Sequence, residues 1–199
     1  MGNRLLIASG NPGKVREIKA ILSPIDIELI SPVEKSLFLD VAETGESYEE
    51  NARIKAFAYL EAARIPVLAD DSGLEVDALN GAPGLYSNRF SPKPKASDAD
   101  RRSYMLQQLR DKSGPWSAHF HCTAVLALPN GEFFSTTGRC NGVIIPEERG
   151  EGGFGYDPIF YIPEFEATMA QLPMAIKSDI SHRAKCVSAI SPKIQALQS

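Results

Sequence analysis

Apolar positions along the chain change period several times, and each change predicts an element. A continuous run, Leu5 to Ala8, predicts a buried strand, and Val15, Ile18, Ile21 and Leu22 then recur on one helical face. Ile25–Ile30 predicts a second strand, followed by a polar stretch through Glu43-Thr44-Gly45. Ser47 with Glu50 three residues on is a capping-box signature and opens a long helix to about Arg64. Pro66 to Ala69 predicts a short buried strand that ends in Asp70-Asp71-Ser72-Gly73. Turn chemistry fills Asn80 to Gly84, and Ser97 with Asp100 opens a helix to Leu109 that Gly114-Pro115 stops. Phe120 to Leu128 predicts a strand that Gly131 turns into a second, Glu132 to Thr137, with Gly138 to Ile145 as a third extended piece. Gly150 to Gly155 is a glycine-dense loop. The chain is helical again from Ser181, where Pro192 is expected to kink or end the helix. Helices alternating with strands early and a hairpin late imply an α/β protein with a mixed sheet.

Composition narrows this picture without redrawing it. A chain of 199 residues is one domain, or one domain with two lobes, and is large enough for a substantial core. Its net charge of −4 and lack of a basic stripe argue against a polymer nucleic-acid partner. Cys122, Cys140 and Cys186 are widely spaced, which argues against a disulfide framework or a zinc site. The first residues enter a strand pattern at once, leaving no room for a signal peptide, and no apolar stretch is long enough for a membrane helix. The expected location is the cytoplasm.

The strand-loop-helix passage at Ser9-Gly10-Asn11-Pro12-Gly13-Lys14 points to phosphate. Orphan N–H groups and the helix dipole favour an anion at a helix start, Asn11 suits the N-cap, Pro12 the first turn, and Lys14 adds a full charge. The spacing is neither Walker A nor G-x-G-x-x-G, and an ordinary strand-to-helix turn with an exposed lysine is the alternative reading. Asp70 and Asp71 follow a buried strand, where ionised carboxylates call for a metal or hydrogen-bond donors; Mg²⁺ with substrate phosphates meets that need. Strand alternation directs only one of them at a ligand. Glu43 is a second candidate carboxylate, or a solvated loop acid. Glu17 reads as an i, i+3 partner of Lys14. Phe154-Gly155-Tyr156-Asp157 offers an aromatic face on contorted backbone, suited to a base or to simple packing. Lys177, His182 and Arg183 supply donors to a purine edge or a phosphate. His119 and His121 alternate on a strand without a third metal ligand nearby, and no serine sits in a hydrolase elbow.

Taken in order, these segments resemble the inosine triphosphate pyrophosphatase family, also called dITP/XTP pyrophosphatases. The matching pieces are Ser9 to Lys14 with Glu17, Glu43-Thr44-Gly45, Glu50-Asn51-Ala52 with Lys55, and Ala69 to Leu74. Gly81 to Gly84, Ser87 to Phe90, Gly152 to Pro158 and Ile180 to Lys185 complete the series across nearly the whole chain. Two departures from the family pattern stand out: Ala42 precedes Glu43 where many members have a second acid, and Asn88 replaces a small alanine. The resemblance implies an elongated mixed sheet flanked by helices, two lobes around a central nucleotide cleft within residues 1–199, and a homodimer. It implies Mg²⁺-dependent hydrolysis of non-standard purine triphosphates to monophosphate and pyrophosphate. By position, Asp71 is the catalytic proton acceptor and a metal ligand with Glu43. Ser9, Gly10, Asn11, Pro12, Gly13 and Lys14 bind the triphosphate and Ser72 adds a contact. Phe154, Gly155, Tyr156 and Asp157 enclose base and sugar, and Lys177, His182 and Arg183 complete the base pocket. Two other readings stay open at this level: a pyrophosphatase for a modified pyrimidine nucleotide, and a nucleotide-binding regulator without catalysis.

Overall fold

The computed structural model describes residues 3–37 and 39–198. Seven strands form one mixed sheet in the order β2-β1-β3-β4-β5-β6-β7. β1 (Arg4–Ile7) lies parallel to β2 (Glu28–Ile30) and to β3 (Val67–Val76), while β5 (Phe133–Ile144) lies antiparallel to β6 (Phe160–Ile162), and β6 to β7 (Ala167–Thr168). β4 (Trp116–Ala127) precedes β5 through a tight turn closed by Gly131 N–H donating to Leu128 O. The helices are α1 (Pro12–Ile21), α2 (Tyr48–Ala63), α3 (Asp98–Leu109), α4 (Met174–Ile180) and α5 (His182–Gln195). No helix among the described residues is long and apolar enough to cross a membrane.

The chain divides into two compact units: residues 1–71, 122–138 and 178–199 form the first, and 72–121 with 139–177 the second. Strand alternation builds the first unit's core on both sides of the sheet. Leu5, Ile7, Leu68, Cys122, Ala124 and Leu126 pack with Ile18 and Leu22 of the α1 region and with Cys186, Val187, Ile190 and Ile194 of α5. Leu6, Ala8, Val67, Ala69, Val125 and Ala127 face the other way, onto Ala52, Ala56, Tyr59 and Leu60 of α2. Burying such side chains stabilises each by about 1.5–3 kcal/mol for the larger ones.

Several boundaries differ from the sequence reading: β4 begins at Trp116, ahead of Phe120, and the second and third extended pieces form the single strand β5. β2 begins at Glu28 because Ile25 and Ile27 N–H groups close local turns onto Leu22 O and Ile25 O. β3 does not stop at Ala69 but runs through both aspartates to Val76, so Asp70 and Asp71 are mid-strand residues and no Asp-Asp-Ser-Gly turn forms. α5 passes through Pro192 to Gln195. The Ser188 carbonyl, which a proline at 192 cannot serve, instead accepts from the Ser191 hydroxyl at 2.8 Å.

Candidate functional site

The alternation that sorts the core also sorts the two aspartates. Asp70 shares the face of Leu68 and meets α1 and α5; Asp71 shares the face of Val67 and Ala69 and meets α2. Asp70 is fully buried, and its Oδ2 takes Lys14 Nζ at 3.1 Å and Arg183 Nε at 3.1 Å. Arg183 is 1 % exposed and its other arm pairs with Glu17. Burial alone would raise the Asp70 pKa, but Lys14, Arg183 and Lys55 outweigh it and hold the carboxyl well below its ordinary range. Its Oδ1 is buried with no hydrogen-bond partner among the described residues.

Glu17 is therefore not a surface partner of Lys14. It is buried and belongs to Arg183, while Lys14 turns to Asp70. The i, i+3 reading treated the helix as isolated, and the tertiary partner from α5 is the stronger one.

On the other face, Asp71 Oδ2 accepts from Asn51 Nδ2 at 3.1 Å. Asn51 Oδ1 takes the Gly45 N–H at 2.8 Å, so one buried amide fastens the Glu43 loop to the strand that carries Asp71. Gly45 is required there, because a Cβ would stand 2.6 Å from Glu50 Cβ. Lys55, one turn along α2 from Asn51, reaches Glu43 Oε1 at 2.5 Å and the Asp70 carbonyl at 3.0 Å. Burial pulls the Lys55 pKa down, yet Asp70, Glu43 and Asp71 together carry it above its ordinary value. Burial pushes Asp71 up, and Glu43 adds to that push against the pull of Lys14 and Lys55. Three cations, Lys14, Lys55 and Arg183, thus stand among four acids, Glu17, Glu43, Asp70 and Asp71.

The helix start at Ser9 to Lys14 forms as the sequence pattern predicts. Asn11 is the N-cap and α1 starts at Pro12. However, Asn11 Oδ1 takes the N–H groups of Gly13 at 2.8 Å and Lys14 at 3.3 Å, and Ser9 Oγ takes that of Asn11 at 3.2 Å. Most of the loop's backbone donors are thus spent on its own geometry, and the positive charge comes from the Lys14 side chain. Gly10 is exposed, with open space where a Cβ would be. Asn11→Ala is expected to lower stability by about 1 kcal/mol through the lost cap, read as a lower melting temperature.

Ser181 caps α5 by accepting the Ala184 N–H at 3.0 Å, which places His182 and Arg183 in its buried first turn. Behind Asp70, Cys122 Sγ and Cys186 Sγ are 3.1 Å apart as free thiols.

Ser72, Phe154 to Asp157 and Lys177 belong to the second unit. Lys177 lies midway along α4 and is buried against Asp157, Nζ to Oδ2 2.7 Å, and the same oxygen takes the Phe154 N–H at 3.3 Å. Tyr156 is buried, donates its hydroxyl to Ser87 O at 2.8 Å, and is kept protonated by burial. His119 lies between Glu75, Nε2 to Oε2 2.9 Å, and Arg139, 2.7 Å from Nδ1.

Asn51, Lys55 and Glu17 are members of the polar cluster that residue-by-residue reading did not place there. Asn51, Lys55 and Glu17 stand in the quoted motifs, but only the fold shows what they touch. Two groups of findings place the chain among known proteins. It is 44% identical over 184 residues to a dITP/XTP pyrophosphatase of Desulforamulus reducens, covering 92% of each chain, and 43% identical over 190 residues to one from Thermus thermophilus, covering 95% of this chain and 90% of that one. A solved HAM1 protein structure from Coxiella burnetii matches with a TM-score of 0.85 at 39% identity, covering 98% of this chain and 100% of that one. The Ham1 family pattern itself matches residues 5–193, and the chain belongs to the Ham1 family.

Proposed function

We propose that the chain hydrolyses the non-standard purine nucleoside triphosphates ITP, dITP and XTP between the α and β phosphates, releasing the monophosphate and pyrophosphate. As a Ham1-family protein with dITP/XTP pyrophosphatases among its relatives, it is a nucleoside-triphosphate pyrophosphatase. The observation that carries the reading is the arrangement of Asp71 and Glu43 around Lys55 and Asn51, beside the Lys14–Asp70 pair.

The donor set fits Mg²⁺. Glu43 helps to raise the Asp71 pKa, and the two carboxylates are hard oxygen ligands suited to a cation; Mg²⁺ takes one or two carboxylates with phosphates and waters. Glu43 and Asp71 would hold it. When bound, the ion neutralises charge on the phosphates and on departing pyrophosphate. Asp71 orients a water, or takes its proton, for attack on the α phosphorus. Lys14, with the Ser9 hydroxyl and the loop through Gly13, stabilises charge on the leaving group, and Ser72 adds a contact. Phe154 to Asp157 take base and sugar. Lys177 keeps donors beyond the one given to Asp157, and with the His182 backbone it serves a 6-oxo group. Adenine would leave such donors unpaired, at about 1–3 kcal/mol per group. Arg183 contributes through Asp70, which it helps to hold beside Lys14. The reading extends, as the resemblance implies, to a cytoplasmic homodimer.

The test is a panel of ITP, dITP, XTP and the four common triphosphates with Mg²⁺ and product identification. Monophosphate and pyrophosphate from ITP, dITP or XTP are expected. Diphosphate with orthophosphate would overturn the bond assignment.

A further inference from the structure

The helix α3 carries no role in the proposed chemistry, yet it grips the aromatic loop at one point. Gly155 N–H donates to Asp98 Oδ2 at 2.7 Å, and Gly155 C=O accepts from Arg102 Nη1 at 2.8 Å. Asp98 and Arg102 are four residues apart, so they share one helix face and close on both polar groups of a single residue. Gly155 has φ +60°, a left-handed conformation that an L side chain rarely adopts, so this backbone is shaped before any ligand arrives.

Each half of the clasp is itself held. The other oxygen of Asp98 pairs with Arg101, whose Nη1 also reaches Ala96 O at 2.6 Å. The second arm of Arg102 reaches Glu148 Oε2 at 2.8 Å, just ahead of the glycine run, and its side chain is only 12% exposed. The two residues that flank Gly155 are then fixed from either side. Tyr156 is anchored through Ser87, whose Oγ accepts the Leu74 N–H of β3 at 2.8 Å, and Phe154 N–H is tied to Asp157. The clasp thus sets the backbone from which the Phe154 side chain projects.

We propose that Asp98 and Arg102 are positioning residues that pre-set the Phe154–Asp157 loop for its nucleotide, through two hydrogen bonds to Gly155. The proposal rests on the reading that this loop receives the base and sugar. Neither side chain is assigned to substrate or metal, so the clasp acts on binding and leaves the chemical step alone. Losing it makes ordering the loop part of the cost of binding. A helix residue with no more than a structural role would shift the melting temperature and leave the Michaelis constant unmoved.

The experiment measures steady-state ITP hydrolysis and hydrogen–deuterium exchange of residues 150–157 in Asp98→Ala, Asp98→Asn and Arg102→Ala. For the two alanine variants, KM should rise roughly tenfold with kcat within about twofold, and the Gly155 amide should exchange roughly tenfold faster in Asp98→Ala, the change that one lost hydrogen bond predicts. Asp98→Asn keeps an acceptor oxygen and should restore both values. Unchanged KM in both alanine variants, or a fall in kcat alone, overturns the positioning role. If the wild-type protein does not cleave ITP, the functional reading fails. The exchange measurement then still decides the clasp, since unaltered exchange in Asp98→Ala overturns it on its own.

Discussion

Asp71→Asn should reduce turnover roughly 10³-fold, the scale of losing a general base, while nucleotide binding survives within a few-fold. The substitution keeps the shape of the side chain and removes only its charge and its ability to accept a proton. Asn51 donates to Asp71 Oδ2, and an amide oxygen can still receive that bond, so the Glu43 loop stays fastened. A second outcome separates chemistry from folding. Burial raises the Asp71 pKa above its ordinary 3.8, so in the folded protein the ionised form is the disfavoured one. Below pH 3.8 the group is neutral in both states and has no effect. As pH climbs from 3.8 through the folded value, the unfolded chain ionises first and stability is lost; above it the penalty is constant. Asp71→Asn escapes that penalty. Without Mg²⁺ and nucleotide the variant should therefore melt higher than wild type at neutral pH, and the difference should vanish near pH 3. Near-normal pyrophosphate release would remove Asp71 from the catalytic role, and a lower melting point at neutral pH would refute its desolvated state.

Much of this site is legible because the relevant signals are local. The Asn11 cap with Pro12 and the Ser97 capping box each need only a few neighbouring residues and form as expected; Ser47 caps α2, but the Glu50 carboxylate takes the Glu46 N–H instead of closing the box on Ser47. Asp71 stands out because it follows an apolar strand. The rest depends on distant partners. Glu17 looks like a surface acid until α5 brings Arg183 onto it. β3 looks finished at Ala69, since two acids, Ser72 and Gly73 imitate a turn. It continues because Asp70 and Asp71 find cations and amides on opposite faces, and because Ser87 receives the Leu74 N–H. β6, β7 and α4 are too short to carry a period of their own. The loop from Ser9 to Lys14 shows a subtler limit. Its sequence announces free N–H groups, whereas the folded loop gives most of them to Asn11 and Ser9.

Arg183→Met should lower the unfolding free energy by about 3–5 kcal/mol, the range for removing one partner of a buried charge network. Methionine fills much of the volume, so the loss comes from two acids, Glu17 and Asp70, left buried without their guanidinium. Adding Glu17→Gln should recover a large part of it, because one of the stranded charges is removed. Acid sensitivity carries the same signature. Burial raises the Asp70 pKa, but Lys14, Arg183 and Lys55 depress it below 3.8, so Asp70 contributes stability above pH 3.8 and loses it as pH falls from there towards the folded value. With Arg183 gone the depression shrinks, and wild type and variant should converge in stability as the pH is taken below about 3. Urea unfolding from about pH 8 down to about pH 2 reads both effects. Stability within about 1 kcal/mol of wild type at pH 7, with KM for ITP raised, would instead make Arg183 a direct ligand of the nucleotide. The structure argues for the first result: a guanidinium 1 % exposed and shared between two carboxylates offers its donors to the fold, steadying the aspartate that pairs with Lys14.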